Sequence, residues 1–296
     1  MMSRLNMKTL NIVGAGRAGR TLAALWQQHG VFVVEGICNR TPQSTRDAMV
    51  FIGGGRERAA VRLMPPAEVW MLATPDGAIA QVAADVAASG ALRTGDVVFH
   101  CSGALPSSDI RAVLAAGISI ASVHPLKSFA QPADAMRNFA GTYCAAEGEA
   151  AALAVLKPAF EAIGAQVIEI HPQFKTLYHA ASVMVCNYLV ALMEAGFQGY
   201  EKAGLPRATA GAMIEPLVRE TVDNVFKLGT VQALTGPIAR GDHAVVARQL
   251  TALREFDPRI VEIYRALGVM ALSLSREQHS ASDKALAELE HLLQKN

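Results

Sequence analysis

The chain has 296 residues, enough for two domains, with 51% apolar and 18% charged residues, so it can bury a sizeable core. Its 27 Lys and Arg nearly balance 26 Asp and Glu, a formal net charge of +1 without a basic run. That balance removes the electrostatic footprint of a nucleic-acid binder and points to small-molecule chemistry.

From the N-terminus to about residue 170, β-branched runs alternate with Ala-rich helical stretches. Strands are expected at Thr9–Val13, Val31–Cys38, Glu68–Ala73, Asp96–Cys101, Ile118–Val123, Gly141–Ala145 and Gln166–Ile170. Helices are expected at Ala18–His29, Ile79–Ala88, Ser107–Ala116 and Glu149–Ile163. Near-continuous apolar strands between helices read as a doubly wound α/β domain, residues 1–170. Beyond it the texture is helical, and residues 171–296 form an all-helical domain. Phe174 to Ala203 reads as one helix, roughly 45 Å long if unbroken. Helices follow at Pro206–Leu228, His243–Glu255, Pro258–Ser273 and Ser282–Gln294, interrupted by the loop Leu234–Asp242.

No leader pattern is read before the first strand. The apolar run Ala180–Met193, broken by Ser182 and Asn187, is too short to span a bilayer. A cytoplasmic protein without membrane or nucleic-acid partners is expected. The long apolar helix needs more cover than a small domain supplies, which predicts a homodimer. The four cysteines, Cys38, Cys101, Cys144 and Cys186, are scattered without a CxxC pair, and no metal site is expected.

Gly14-Ala15-Gly16-Arg17-Ala18-Gly19 follows the first strand directly and opens a helix. In a dinucleotide fingerprint the first glycine makes the tight turn and the second admits a pyrophosphate. The third lets helix and strand pack closely. The helix N-terminus adds unpaired N–H groups and a partial positive charge. The second strand ends in Asn39-Arg40-Thr41 instead of the acid that would bind a ribose 2′-hydroxyl, so NADP(H) is favoured over NAD.

Other candidates lie where strands end. Thr74 and Pro75 could line the nicotinamide ribose path, or simply cap a helix. Ser102 and Gly103 could approach the nicotinamide, or form a plain turn. His124, Lys127 and Ser128 bring an imidazole, an amine and a hydroxyl to one rim as a substrate pocket. Lys175 and His179 are four residues apart on one helical face, with Asn187 further along that stripe. Arg240 could hold a substrate carboxylate bidentately, or pair with Asp242.

With these residues in view the chain resembles the 6-phosphogluconate dehydrogenase-like superfamily. More closely, it is similar to bacterial Rossmann-like proteins ending in the domain of unknown function 2520. The marks are VGAGRAG (Val13–Gly19), ATPD (Ala73–Asp76), HCSGAL (His100–Leu105), SVHPLKSF (Ser122–Phe129), KTLYHAASVMVCNYL (Lys175–Leu189) and LTGPIARGD (Leu234–Asp242). The resemblance implies an NADP-dependent oxidoreductase. It also implies a catalytic lysine at Lys175, with an amide expected four residues later, where this chain has His179. The expectation is hydride transfer to or from a small carbonyl, hydroxyl or imine compound bearing a carboxylate, with Lys175 or His179 handling the proton. Two rivals remain: a non-catalytic NADP-binding sensor, and an enzyme that uses the nucleotide structurally.

Overall fold

The computed structural model describes residues 7–294. It divides into two compact units, Met1–Met184 and Val185–Asn296. The first unit runs β1 (Lys8–Val13), α1 (Arg17–His29), β2 (Phe32–Cys38), α2 (Pro42–Ile52), β3 (Arg56–Glu57), β4 (Val69–Leu72), α3 (Asp76–Ala88) and β5 (Val97–His100). It continues through β6 (Ser119–Pro125), α4 (Pro132–Arg137), β7 (Tyr143–Gly148), α5 (Ala150–Glu161), β8 (Gln166–Glu169) and α6 (Lys175–Ser182). The eight strands lie in the order β3-β2-β1-β4-β5-β6-β7-β8. All neighbours pair in parallel except β6 and β7.

All seven expected strands form. The short β3 and the helices α2 and α4 were not anticipated, and Ser107–Val113 is a 3₁₀ turn where an α-helix was expected. The sheet buries both faces, as a parallel sheet must. One core joins Leu10, Ile12, Met71, Phe99 and Val123 to α1, α2 and α5. At its centre Trp26 packs edge-on against Phe32, Phe99 and Phe160, and its indole N–H donates to the Ala159 carbonyl at 2.8 Å. The other core sets Val13, Trp70, Leu72, Val98 and Ile120 against Ile79, Ala83 and Val86 of α3.

The helical unit begins in a π turn, Val183–Asn187, that links α6 to α7 (Tyr188–Lys202). It continues with α8 (Arg207–Leu228), α9 (Thr230–Ala233), α10 (His243–Phe256), α11 (Pro258–Gln278) and α12 (Asp283–Gln294). Val246, Leu250, Val261, Leu272, Leu286, Leu289 and Leu293 form its core. Residues 234–242 form no helix, as their glycines and proline suggested.

One expectation is corrected here. Through the π turn the apolar helix runs without a break from Pro172 to Lys202, which by length and composition alone is enough to cross a membrane. Ser182 and Asn187 do not break it, because one polar side chain per turn costs a helix no backbone bond. The division into compact units falls inside this helix, between Met184 and Val185, and Lys175 and Thr176 are bonded within the first unit.

Candidate active site

Strand β1 delivers the chain into a turn at Gly14, whose φ of 88° is left-handed. A Cβ there would lie 2.6 Å from Thr74 Cγ2 and 2.8 Å from the Ala73 carbonyl carbon. At Gly19 it would meet the Gly14 carbonyl oxygen at 2.8 Å. The fold itself therefore requires these two glycines. Gly16 is different: nothing lies within 4 Å of its would-be Cβ, so its missing side chain opens space the protein does not fill. The first intrahelical bond of α1 runs from Arg20 N–H to the Gly16 carbonyl, leaving the amides of Arg17, Ala18 and Gly19 without helical partners. Beside Gly14 at the start of this loop, the Thr74 hydroxyl is buried without a hydrogen-bond partner. Free amides at a helix start, room for a ligand and an orphaned hydroxyl suit the diphosphate and ribose of a dinucleotide.

Asn39 shapes this cradle from beneath. Its Oδ1 accepts from the Ala15 amide at 2.6 Å, and its Nδ2 donates to the Ser44 carbonyl at 2.8 Å. Thr41 caps α2, accepting from the Ser44 amide at 3.2 Å. Asn39 and Thr41 thus spend their side chains on the loop, and Arg40 beside them is exposed. Arg58, whose Nε is buried without a partner, follows the adjacent strand β3 and was not singled out from sequence. Pro75 sits just ahead of α3, which begins at Asp76.

A second cluster forms where β5, β6 and β7 meet. The registers place His100 opposite Ser122, and Ser122 opposite Glu147, in one row across the sheet. Lys175, at the first turn of α6, is wholly buried above that row. Its Nζ donates to Ser122 Oγ and lies 3.4 Å from Glu147 Oε1. Ser122 passes its own proton to the Ser102 carbonyl at 3.2 Å. Glu147 also accepts from the Ser107 amide at 2.7 Å and the Ser107 hydroxyl at 2.8 Å. Burial lowers the Lys175 pKa, and the Glu147 charge opposes that shift.

The loop between β5 and the 3₁₀ turn is thereby fixed. Ser102 Oγ accepts from the amides of Ala104 and Leu105 at 3.1 and 3.0 Å, so this hydroxyl holds the turn. His100 accepts from the Ser102 amide at 3.3 Å, and its other ring nitrogen lies 3.4 Å from the Pro106 carbonyl. Burial and the Lys175 charge push its pKa down to about 4.

Over Gly103 two imidazoles converge. The His124 and His179 ring centroids are 5.7 Å apart, and His179 Nδ1 is buried without a partner. His124 Nδ1 lies 3.4 Å from the Tyr178 hydroxyl. Burial, then the charges of His179 and Lys175, push the His124 pKa down to about 4, so it is neutral at neutral pH. The expected pairing of Lys175 and His179 therefore resolves into two environments: a sealed ion pair, and an imidazole facing a second imidazole, His124, which itself lies against the Tyr178 phenol. Sequence reasoning missed Glu147, Tyr178, Ser107 and Ser122; the sheet register sets Ser122 opposite Glu147, the loop brings Ser107 to Glu147, and α6 brings Tyr178 to His124. Lys127 donates to the Asn138 carbonyl at 2.8 Å and Ser128 is exposed. Asn187 and Arg240 belong to the helical unit, where both are exposed.

Comparison with known proteins agrees with the fold. A Rossmann-like domain model matches residues 2–125, and the domain of unknown function DUF2520 matches residues 142–271. A Thermotoga maritima protein of known structure is 26% identical, with a TM-score of 0.70 over 91% of this chain and 99% of that one. A Bacteroides fragilis protein described as a candidate NADP oxidoreductase is 21% identical, with a TM-score of 0.68 over 92% of this chain and 98% of that one. A Plasmodium falciparum pyrroline carboxylate reductase with NADP bound is 12% identical, with a TM-score of 0.57 over 97% of this chain and 98% of that one. A search of curated proteins found no match. Two domain models that together take in nearly the whole chain, consistent with the superfamily resemblance, place it among the Rossmann-like proteins that end in a DUF2520 domain.

Proposed function

We propose that this protein is a cytoplasmic, homodimeric NADP(H)-dependent oxidoreductase. It would reduce a small imine or carbonyl compound bearing a carboxylate, or oxidise the corresponding amine or alcohol. The observation that carries the reading is the open cradle at Gly16. It adjoins free helix amides, has the partnerless Thr74 hydroxyl against Gly14 of the same loop, and lies in the same unit as the histidine pair. The NADP bound by the similarly folded pyrroline carboxylate reductase supports the choice of cofactor, and a similarly folded imine reductase in complex with NADP+ supports the imine class.

The residues fit the nucleotide in a specific way. Arg17, Ala18 and Gly19 would hold the diphosphate through their amides, Arg40 would meet the 2′-phosphate, and Thr74 would reach the nicotinamide ribose. When bound, the nicotinamide supplies or accepts the hydride. Reduction also requires a proton on the substrate nitrogen or oxygen. Lys175 is sealed and committed to Ser122 and Glu147, so His179, with His124 and Tyr178 beside it, is the better-placed donor. Arg240 and Asn187, the substrate contacts expected from the sequence, lie in the helical unit.

The test is turnover of NADPH against a panel of cyclic imines, keto acids and aldehydes. His179→Gln should lower kcat by about 10²–10⁴-fold, the usual worth of a positioned proton donor, while NADPH affinity stays within a few-fold. A His179→Gln protein with parental turnover would remove the imidazole from the mechanism.

A further inference from the structure

Glu147 is a carboxylate buried to 1% side-chain exposure that the nucleotide cradle does not use. Its two oxygens are nonetheless fully engaged. Oε2 takes the Ser107 hydroxyl, while Oε1 takes the Ser107 amide and faces Lys175 Nζ. Lys175 in turn reaches the Ser102 carbonyl through Ser122, and the next residue, Thr176, donates to the Ala104 carbonyl at 3.1 Å. The first turn of α6 is thus tied to the loop at Ser102, Ala104 and Ser107. One turn later on the same face, His179 presses its Nδ1 against Gly103 of that loop. How α6 is seated decides where His179 sits.

We propose that Glu147 is a positioning residue of this site and Lys175 its buried counter-ion, the pair clamping the 102–107 loop to α6 so that His179 is held over Gly103. Lys175 is then a strut and not the proton donor. An apolar pair could fill the same space, but only charged, directional bonds fix the rotation of the helix against the loop. The catalytic consequence rests on the reductase reading; the clamp itself does not.

Lys175 is faced by Glu147 from β7, His100 and Cys101 at the end of β5, Asp76 from α3 and His124 from β6. Glu147→Gln keeps the shape and removes the charge, leaving a buried ammonium uncompensated. The unfolded chain then holds the Lys175 proton to a higher pH than the folded one, so stability must rise with pH. Between pH 7 and 9.5 the Tm of Glu147→Gln should climb more steeply than the parent's, and adding Lys175→Met should abolish the extra slope.

In ¹⁵N-edited spectra of the whole protein without substrate, the His179 and His124 ring signals should move in Glu147→Gln. They should stay in place in the surface control Glu149→Gln. With an active substrate, kcat should fall at least tenfold while KM and NADPH affinity change less than threefold. Unmoved histidine signals in Glu147→Gln overturn the proposal, and so does a parental pH slope. If Glu147→Gln does not fold, the Glu147→Gln/Lys175→Met double variant serves: shifted histidine signals support the clamp and parental ones refute it. A parent that turns over no imine or carbonyl, yet shows the spectral and pH effects, removes the reductase reading and leaves the clamp standing.

Discussion

His179 Nδ1 and His124 Nε2 point at the same place: a Cβ on Gly103 would lie 2.4 Å from one and 2.9 Å from the other. Only a residue without a side chain lets both rings close over this loop. Gly103→Ala must displace one imidazole or the loop, an overpacking cost of about 1–3 kcal/mol. We expect a lower urea midpoint and at least a tenfold loss of turnover, with NADPH affinity unchanged. Parental activity in Gly103→Ala would show that the ring geometry is not needed.

The cradle glycines should separate by experiment. Gly14→Ala places a Cβ against Thr74 and Ala73 at a positive φ, so it should lower stability. The added Cβ of Gly16→Ala meets nothing within 4 Å, so this variant should melt like the parent and yet bind NADPH at least tenfold more weakly. Equal NADPH affinity in the Gly16 variant would mean that the open space is not the nucleotide site.

Cofactor choice rests on Arg40. NADPH should bind about tenfold more tightly than NADH, the factor given by a ~1.4 kcal/mol contact, and Arg40→Asp should erase that preference. Titration calorimetry with both nucleotides decides it. Equal parental affinities would sink the assignment.

Acid should weaken the fold through its buried histidines. His100 has its pKa pushed from 6.5 down to about 4, and His124 moves the same way. As pH falls below 6.5 the unfolded chain takes up these protons first. Stability is therefore complete above 6.5 and is lost toward pH 4. The amount is on the order of 3 kcal/mol for His100. Urea unfolding of the parent should show this decline, and His100→Gln should flatten part of it. A parent equally stable at pH 4.5 and 7 would contradict the sign.

Assembly should follow from the apolar surface of the helical unit. Val185 in the π turn, Tyr188 and Val190 at the start of α7, and Phe226 on α8 are each more than 60% exposed. Phe197, Tyr200, Ile214, Leu253 and Phe256 line an apolar groove of about 600 Å³ in the same unit. Monomers seldom leave so much contiguous apolar surface in water. Sedimentation at micromolar concentration should give twice the 31.4 kDa chain mass, and Val190→Glu should shift it toward monomer. A parental monomer, or partition of the parent into liposomes, would overturn the dimer.

What the sequence determined by itself is what repeats locally. Alternation of β-branched runs with Ala-rich stretches specifies the doubly wound sheet, and strand–GxGxxG–helix specifies the cradle. Four-residue spacing puts Lys175 and His179 on one face. Each signal lies within a few residues, where backbone geometry alone links pattern to shape. The strand β3 and the helices α2 and α4 escaped because they are too short, or too weakly periodic, to stand out.

Only the tertiary structure separated the environments of these residues. Glu147 lies 28 residues from Lys175 and 40 from Ser107, and it meets them because β7 turns antiparallel to β6 and sets Glu147 opposite Ser122. A register slip of one residue would send that carboxylate to the other face of the sheet. Depth then divided the two residues that sequence had grouped. Burial sealed Lys175 among ion-pair partners, while His179, one turn along, was left facing a second imidazole. Burial and register are properties of the assembled sheet, so no local pattern could have separated these two environments in advance.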